Sequence, residues 1–98
     1  MTMYFAVERI TGPGWSRGVP LRSQPLWDEH AAFMNALADA GFVVLGGVLG
    51  AGNDVLLVVD APDEATVRSR LAADPWSRNE TLLVKRVMRW NVLLDSRG

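Results

Sequence analysis

The stretch Trp27-Asp-Glu-His-Ala-Ala-Phe-Met-Asn-Ala-Leu-Ala-Asp-Ala-Gly41 has the pattern of an amphipathic helix, and the rest of the chain is organised around it. At helical spacing one side of it carries Leu26, His30, Phe33, Leu37 and Gly41. His30, the only histidine of the chain, therefore lies in the middle of the side expected to face a core. A buried polar group without a partner costs about 1–3 kcal/mol. The sequence thus predicts that another polar group meets His30.

The composition is that of an ordinary globular protein. The chain has 98 residues, of which 49% are hydrophobic and 21% charged, and we expect residues 1–98 to form a single domain. The formal net charge of −1 gives no electrostatic reason to expect nucleic acid or an anionic membrane as a partner. No apolar run approaches the roughly 20 residues of a membrane span, and no signal-peptide pattern is present. A cytoplasmic location is the expectation.

Several classes of site have no support in the sequence. The chain has no cysteine, which excludes disulfides, thiolate catalysis and Cys-ligated zinc. A lone histidine without neighbouring ligands makes no standard metal site, so no metal is expected. Gly46-Gly47 and Gly50-x-Gly52 are followed by no helix and no Walker lysine, so they predict no phosphate loop. We expect no cofactor.

Two helices are predicted. The first is expected to be capped by Ser23 or Gln24, with Pro25 in its first turn and Gly41 ending it in a left-handed conformation. The second is expected to open at Pro62–Glu64 and to end at Asp74, because Pro75 follows. Residues 76–81 are expected to be irregular.

Runs of apolar and β-branched residues predict four strands, at Met3–Ile10, Phe42–Leu49, Asp54–Ala61 and Leu82–Asp95. The glycine-rich residues 50–53 predict a hairpin between the second and third strands. The last strand is about twice the usual length, so part of it is expected to reach beyond its own sheet. The long segment Thr11–Ser23 is either a binding loop or lid, or a connector with one packed tryptophan.

The order strand, helix, strand, strand, helix, strand predicts an α+β fold of the ferredoxin-like βαββαβ type, with both helices on one face of a four-stranded antiparallel sheet. The second and third strands are apolar without alternation, which implies that both faces of the sheet are covered. Two helices cover one face only. We therefore predict a homodimer through the open sheet face, which would form a dimeric α/β barrel.

Several motifs, spread over roughly residues 3 to 94, resemble the YCII-related family. These are Leu26-Trp27-x-x-His30-x-x-Phe33-Met34-x-x-Leu37, then Gly41-x-Val43-Val44-Leu45-Gly46-Gly47, then Leu57-Val58-Val59-Asp60-Ala61, and last Leu71-Ala72-x-Asp74-Pro75-Trp76. The family typically has Gly-Pro where this chain has Gly47-Val48. The resemblance implies a small dimeric α/β barrel, similar in fold to muconolactone isomerase and to cofactor-free monooxygenases. It also implies that His30 and Asp74 form an active-site pair.

With Asp74 on one ring nitrogen, the other nitrogen of His30 could act as a general acid or base near neutral pH. Alternatively, His30 is a core histidine bonded to a backbone carbonyl, and Asp74 is a turn-forming residue ahead of a proline. At the end of the second helix the Asp74 carboxylate would be disfavoured by the helix dipole, by about 0.3–1 kcal/mol, and an imidazolium would compensate for that.

Two kinds of side chain are further candidates for the site, and a third, an acidic pair, is not. Trp27 and Trp76 either pack in the core or form aromatic walls for a small ring substrate. Arg9 and Arg86 either bind a substrate carboxylate or form surface or interface ion pairs. Asp28 and Glu29 are interpreted as favourable first-turn charges.

Three functions fit these features. The first is a small cofactor-independent enzyme of isomerase or lyase type, using His30 and Asp74 on an aromatic-derived or lactone substrate. The second is a non-catalytic dimeric protein that binds a small ligand. The third is a cofactor-free monooxygenase or haem-handling protein of the same fold. Whether the chain is an enzyme is left open by the sequence.

Overall fold

Four antiparallel strands form one sheet in the part of the chain that the computed structural model describes, residues 3–97. They are β1 (Tyr4–Thr11), β2 (Val43–Val48), β3 (Val55–Asp60) and β4 (Leu82–Trp90), in the spatial order β2-β3-β1-β4. The helices are α1 (Trp27–Asp39), α2 (Glu64–Ala72) and the short α3 (Pro75–Arg78). The predicted ferredoxin-like α+β fold is confirmed. Residues 1, 2 and 98 of the predicted domain lie outside this description.

One face of the sheet is covered by the helices. Alternate residues of β1 and β3 point to this face because successive side chains of a strand point to opposite faces. They form one apolar core with the inner sides of the helices, built mainly from Phe5, Val7, Leu37, Leu57, Val59, Val67 and Leu71. The helix layer thus meets the sheet as the strand alternation predicts.

The opposite face, called here the open face, has no covering layer within the described residues. Leu45 is 69% exposed, and Met88 and Trp90 are 40% and 44% exposed. One ion pair, between Arg86 and Glu8 at 2.9 Å, crosses this face. The open face is therefore largely apolar and accessible to solvent in the single chain.

The start of α1 differs from the prediction. The helix begins at Trp27 after Leu26, whose φ of 63° is left-handed and whose side chain makes no capping bond. Gln24 is buried, and its amide bonds the loop before it: it accepts from the Ser16 N–H at 2.8 Å and donates to the Val19 carbonyl at 2.7 Å. The predicted cap at Ser23 or Gln24 is wrong because the loop uses this amide. Pro25 accordingly precedes the helix.

The end of α1 is as predicted. Gly41 has a φ of 79°, and its N–H bonds the carbonyl of Ala38 at 3.0 Å. The N–H of Phe42 bonds the carbonyl of Leu37, also at 3.0 Å. This double bonding is the pattern that a left-handed glycine allows at a helix C-terminus. It directs the chain straight into β2.

Two boundaries near the C-terminus also differ. α2 ends at Ala72, and Pro75–Arg78 forms the helix α3 where an irregular piece was predicted. A proline at the first helical position lacks an N–H that would be unpaired there in any case, so it starts this helix as readily as it ends the previous one. β4 ends at Trp90 and not at Asp95, so the predicted end of the last strand is wrong, and residues 91–95 lie beyond the sheet without strand structure.

Gly14 is required by a close approach of two backbone segments. Its N–H bonds the Glu80 carbonyl at 2.9 Å, and a Cβ at this position would lie 2.1 Å from the carbonyl oxygen of Asn79. We expect Gly14→Ala to lower the free energy of unfolding by about 1–3 kcal/mol, the usual cost of overpacking. Urea denaturation measures this change.

Gly52→Ala is the matched control for this experiment, because a Cβ there meets no atom within 4 Å and the φ of Gly52 is not left-handed. Its effect is expected to stay within about 0.5 kcal/mol. Equal free energies of unfolding for the two variants would show that the backbone around Gly14 and the backbone at Asn79 move apart to admit a Cβ without loss of stability.

No helix within residues 3–97 has the length and apolar character needed to cross a membrane.

Candidate active site

The structure brings His30 and Asp74 together. His30 lies in the first turn of α1 and is 8% exposed, while Asp74 lies between α2 and α3 and is fully buried. The Nδ1 atom of His30 is 2.9 Å from each carboxylate oxygen of Asp74. The polar partner that the buried histidine requires is therefore a carboxylate, and not a backbone carbonyl.

Asp74 is held in place by the start of α3. Its Oδ1 accepts the backbone N–H of Trp76 at 2.9 Å, so Asp74 is the N-cap of this helix. The expectation that the carboxylate suffers from the dipole at the end of the second helix is wrong, because Pro75 opens a new helix immediately after it. An N-cap carboxylate is a favourable partner for the first N–H groups of a helix.

Arg9 completes the cluster from the sheet. It follows Phe5 and Val7 on the helix-covered side of β1 and is 1% exposed. Its guanidinium donates to Asp74 Oδ2 at 2.8 Å and to Ser77 Oγ at 2.8 Å. A substrate-binding role for Arg9 stays a prediction, since the structure shows it in an ion pair with Asp74.

The second candidate arginine, Arg86, lies on the open face, in the ion pair with Glu8 already described. It is separated from the cluster by the sheet. Of the two alternatives for this arginine, the structure shows the surface ion pair.

Asp74 is ionised at neutral pH. Burial raises the pKa of its carboxyl group, but hydrogen bonds from His30, from the backbone N–H of Trp76 and from Arg9 outweigh burial and hold the pKa below its ordinary value. An ionised carboxylate only accepts hydrogen bonds, so the Nδ1 of His30 must carry the proton between them. In the neutral imidazole the lone pair is then on Nε2.

Tryptophans fix the plane of the imidazole. Trp76, which is fully buried, stacks on His30 with ring centroids 3.9 Å apart and planes within 6° of parallel. Its indole N–H donates to the carbonyl of Pro25 at 2.8 Å, just before α1. Trp27 lies 5.8 Å from His30 and 5.6 Å from Trp76 between ring centroids. Of the two alternatives for these tryptophans, the structure shows packing against His30 and each other, and their role as walls for a ring substrate stays a prediction.

The long loop adds a third tryptophan to this cluster. Trp15 meets Trp76 edge to face, with ring centroids 6.1 Å apart. Of the two interpretations of residues 11–23, the connector with one packed tryptophan fits this contact. The same loop also brings Leu21 to the wall of the cavity described next.

A cavity of about 440 Å³ lies beside the imidazole. Its walls come from α1, from the whole of β2, and from neighbouring parts of the sheet, and they include Trp27, His30, Met34, Asn35, Val43–Val48 and Trp76. The volume is within the range of about 300–1,000 Å³ that is typical of small-molecule sites. Most of the lining side chains are apolar. His30 and Asn35 are the polar exceptions, together with the almost fully buried Arg9.

Sequence reasoning missed two residues of the site. Asn35 is absent from the side of the first helix expected to face a core, yet it lines the cavity because the cavity opens between α1 and the edge strand β2. Ser77, which accepts from Arg9 and donates to the carbonyl of Leu71 at 2.7 Å, follows Asp74 by three residues. No pattern in the sequence distinguishes such a serine. The alternation of Phe5, Val7 and Arg9, by contrast, does signal a buried arginine.

The sequence matches no protein-family profile and no curated protein. Among solved structures, the chain is similar to 5-chloro-2-hydroxyhydroquinone dehydrochlorinase (TftG) from Burkholderia phenoliruptrix AC1100, solved in complex with 2,5-dihydroxybenzoquinone. The TM-score is 0.64 and the sequence identity is 25%, over 91% of this chain and 94% of that chain. The two proteins therefore have a related fold over nearly their whole lengths.

Proposed function

We propose that this protein is a small enzyme of isomerase or lyase type, which transfers protons with the His30–Asp74 pair and needs no cofactor. The observation that carries this proposal is the contact of Asp74 with His30 Nδ1 at the wall of an apolar cavity. An imidazole held in one tautomer by a carboxylate is a general base at neutral pH, and its protonated form is a general acid. The oriented Nε2 is the reacting atom.

The chemistry requires only proton transfer. Nε2 of His30 takes a proton from a C–H or O–H bond of the substrate, and the electron pair of that bond stays on the substrate. In an isomerisation, the imidazolium returns the proton to another atom of the substrate. In an elimination, the electron pair forms a double bond while the leaving group departs as an anion. Asp74 stabilises the imidazolium in both cases.

The cavity supports a substrate built on a single ring. An engineered cavity of about 150 Å³ accepts benzene, so the larger volume here has room for a substituted ring. Trp27 and Trp76 provide aromatic surfaces beside the imidazole. The structural similarity to a protein named as a hydroxyhydroquinone dehydrochlorinase supports an aromatic-derived substrate. The His30–Asp74 pair is supported by the sequence motifs that resemble the YCII-related family.

We further propose that the protein is a homodimer through the open face. Exposed apolar side chains on β2 and β4 support this, among them Leu45, Met88 and Trp90. Contiguous apolar surface of this kind is typical of protein interfaces.

The test of the catalytic proposal compares His30→Ala with wild-type protein on a panel of chlorinated hydroquinones, hydroxyquinols and lactones. Chloride release reports elimination, uptake of solvent deuterium reports proton exchange in an isomerisation, and absorbance follows either reaction. We expect wild-type turnover on at least one compound and a loss of about 10²–10⁴-fold in His30→Ala, the usual contribution of a general base. Glu29→Ala, at an exposed position next to His30, is the control and should keep wild-type activity.

Other outcomes of this test would contradict the proposal. Tight binding without turnover, unchanged in His30→Ala, would indicate a ligand-binding protein. Oxygen consumption with a quinol would indicate a monooxygenase.

A further inference from the structure

Arg9 and His30 both contact Oδ2 of Asp74, and the alternation of β1 carries Arg9 to the helix-covered side after Phe5 and Val7. The pairing of β1 with β4 shifts between Glu8 and Arg9: Glu8 pairs with Arg86, while Arg9 pairs with Val84, so that Lys85 is skipped. Such bulges re-aim side chains and are frequent beside active sites. The guanidinium of Arg9 reaches the carboxylate from inside the fold, next to this bulge of β4.

The guanidinium is fixed in this position. Ser77 Oγ accepts from Arg9 and donates to the carbonyl of Leu71, which ties the arginine to the end of α2. The Nε–H of Arg9 is buried without a hydrogen-bond partner among the described residues. An unpaired buried N–H is a cost for stability, and packing alone does not explain why an arginine stands here.

We propose that Arg9 is a positioning residue of the pair, which neutralises Asp74 and so leaves His30 as an uncharged imidazole with a free lone pair on Nε2. The inference rests on the proposed function. It adds to that function the residue, Arg9, that keeps the Nε2 lone pair of His30 available as a base.

The argument is one of charge. An arginine is always protonated, so Arg9 and Asp74 together carry no net charge. If His30 alone faced the buried carboxylate, an imidazolium would be the favoured partner, and Nε2 would then carry a proton and could not act as a base. With Arg9 present, the charge of the Asp74 carboxylate is already balanced. A protonated His30 would then be a buried positive charge without a carboxylate of its own, which burial disfavours.

Asp74 and Arg9 are the charged groups that face His30 within residues 3–97. On α1 itself, Asp28 and Glu29 are exposed and point away from the cavity. The cavity walls from β2, β3, β4 and the turn at Leu21 carry uncharged side chains only. No other charged side chain among these residues acts on the imidazole.

The test uses the fact that His30 is the only histidine, so that its ring nitrogens are observed by ¹⁵N NMR without assignment. The pH titration of the imidazole is compared in wild-type protein, Arg9→Met, Arg9→Gln and Arg9→Lys. We expect the wild-type ring to be neutral at pH 7 with its proton on Nδ1. In Arg9→Met and Arg9→Gln the midpoint should move upward by about 1–3 pH units, the effect of one close charge. Arg9→Lys should restore most of the wild-type midpoint.

Two neutral variants are used because one of them could fail to fold, and circular dichroism checks each. An unchanged midpoint in a folded neutral variant would overturn the inference. The titration needs no substrate, so it is readable even if the protein proves to have no catalytic activity. If turnover is found, the acid limb of the pH–rate profile should shift upward with the midpoint. A purely structural role would lower activity equally at every pH.

Discussion

Asp74→Asn is expected to lower the rate of proton transfer by about 10⁴-fold, the size of the corresponding change in a serine-protease triad. The asparagine has nearly the same shape as the aspartate but can present an NH₂ group to His30 Nδ1. Nδ1 would then act as acceptor, and the proton would move to Nε2, where the free lone pair is needed. Measured kcat tests the rate, and ¹⁵N NMR of the single imidazole tests the tautomer.

The same substitution should also destabilise the fold, because it leaves the Arg9 guanidinium buried without its carboxylate. Removing one partner of a buried ion pair typically costs about 3–5 kcal/mol. Urea denaturation at pH 7 measures this loss. Asp28→Asn, at an exposed position in the first turn of α1, is the control and should lower stability by no more than about 1 kcal/mol, the size of a first-turn charge effect.

The pH dependence of stability gives an independent check on Asp74. Burial raises the pKa of this carboxyl, but the hydrogen bonds from His30, Trp76 and Arg9 together lower the pKa by more than burial raises it. The pKa in the folded protein is therefore below the unfolded value of about 3.9. Its contribution to stability is therefore complete above that unfolded pKa and is lost as the pH falls through the folded pKa. Asp74→Asn should show a flatter decline in stability on acidification. If the stability of Asp74→Asn falls on acidification as steeply as that of the wild-type protein, the decline arises from other carboxyl groups.

The fold was predictable because its signals are periodic and repeated. A 13-residue helix shows an apolar stripe, and the strands show continuous apolar runs bounded by glycine and proline. Gly41 marks the end of α1 because a left-handed residue at that point favours glycine. Each signal spans several residues, so errors at single positions do not change the topology.

The errors fall where a short segment has two possible structures. The four residues of α3 are too few for helical periodicity, so Pro75 was interpreted only as the end of a helix. The start of α1 depends on a hydrogen bond between Gln24 and a loop that comes before it, which no local pattern specifies. Both errors concern short segments whose structure is determined by tertiary contacts.

The candidate site was predictable in part for the same reason. His30 stands out as a polar residue in an apolar stripe, and its need for a partner follows from the cost of burial. The identity of that partner came from the motif containing Asp74 and not from spacing, since the two residues are 44 positions apart. Arg9 was named as a candidate, and the alternation of β1 signals its burial, but its contact with Asp74 joins residues 65 positions apart and the sequence does not reveal it.

Met88→Glu is expected to convert the proposed dimer into a monomer. Met88 lies on the open face opposite Ala6 and is 40% exposed, so a carboxylate there remains hydrated in a single chain. In a face-to-face dimer the same carboxylate would be buried without a partner, at a cost of about 3–5 kcal/mol. Since each 1.4 kcal/mol is a tenfold change in Kd, we expect dissociation to be favoured by at least about 10²-fold.

Sedimentation at micromolar concentration measures this change, and Arg89→Gln is the matched control. It lowers the net charge by the same amount, on the neighbouring residue of β4, whose side chain points to the opposite face of the sheet. We expect this control to remain dimeric. Because the substitution acts on the interface and not on the core, Met88→Glu should keep the wild-type far-ultraviolet circular dichroism spectrum while its mass falls to that of one chain. A wild-type protein that sediments as a stable monomer would contradict the dimer, and the open face would then need another explanation for its exposed apolar side chains.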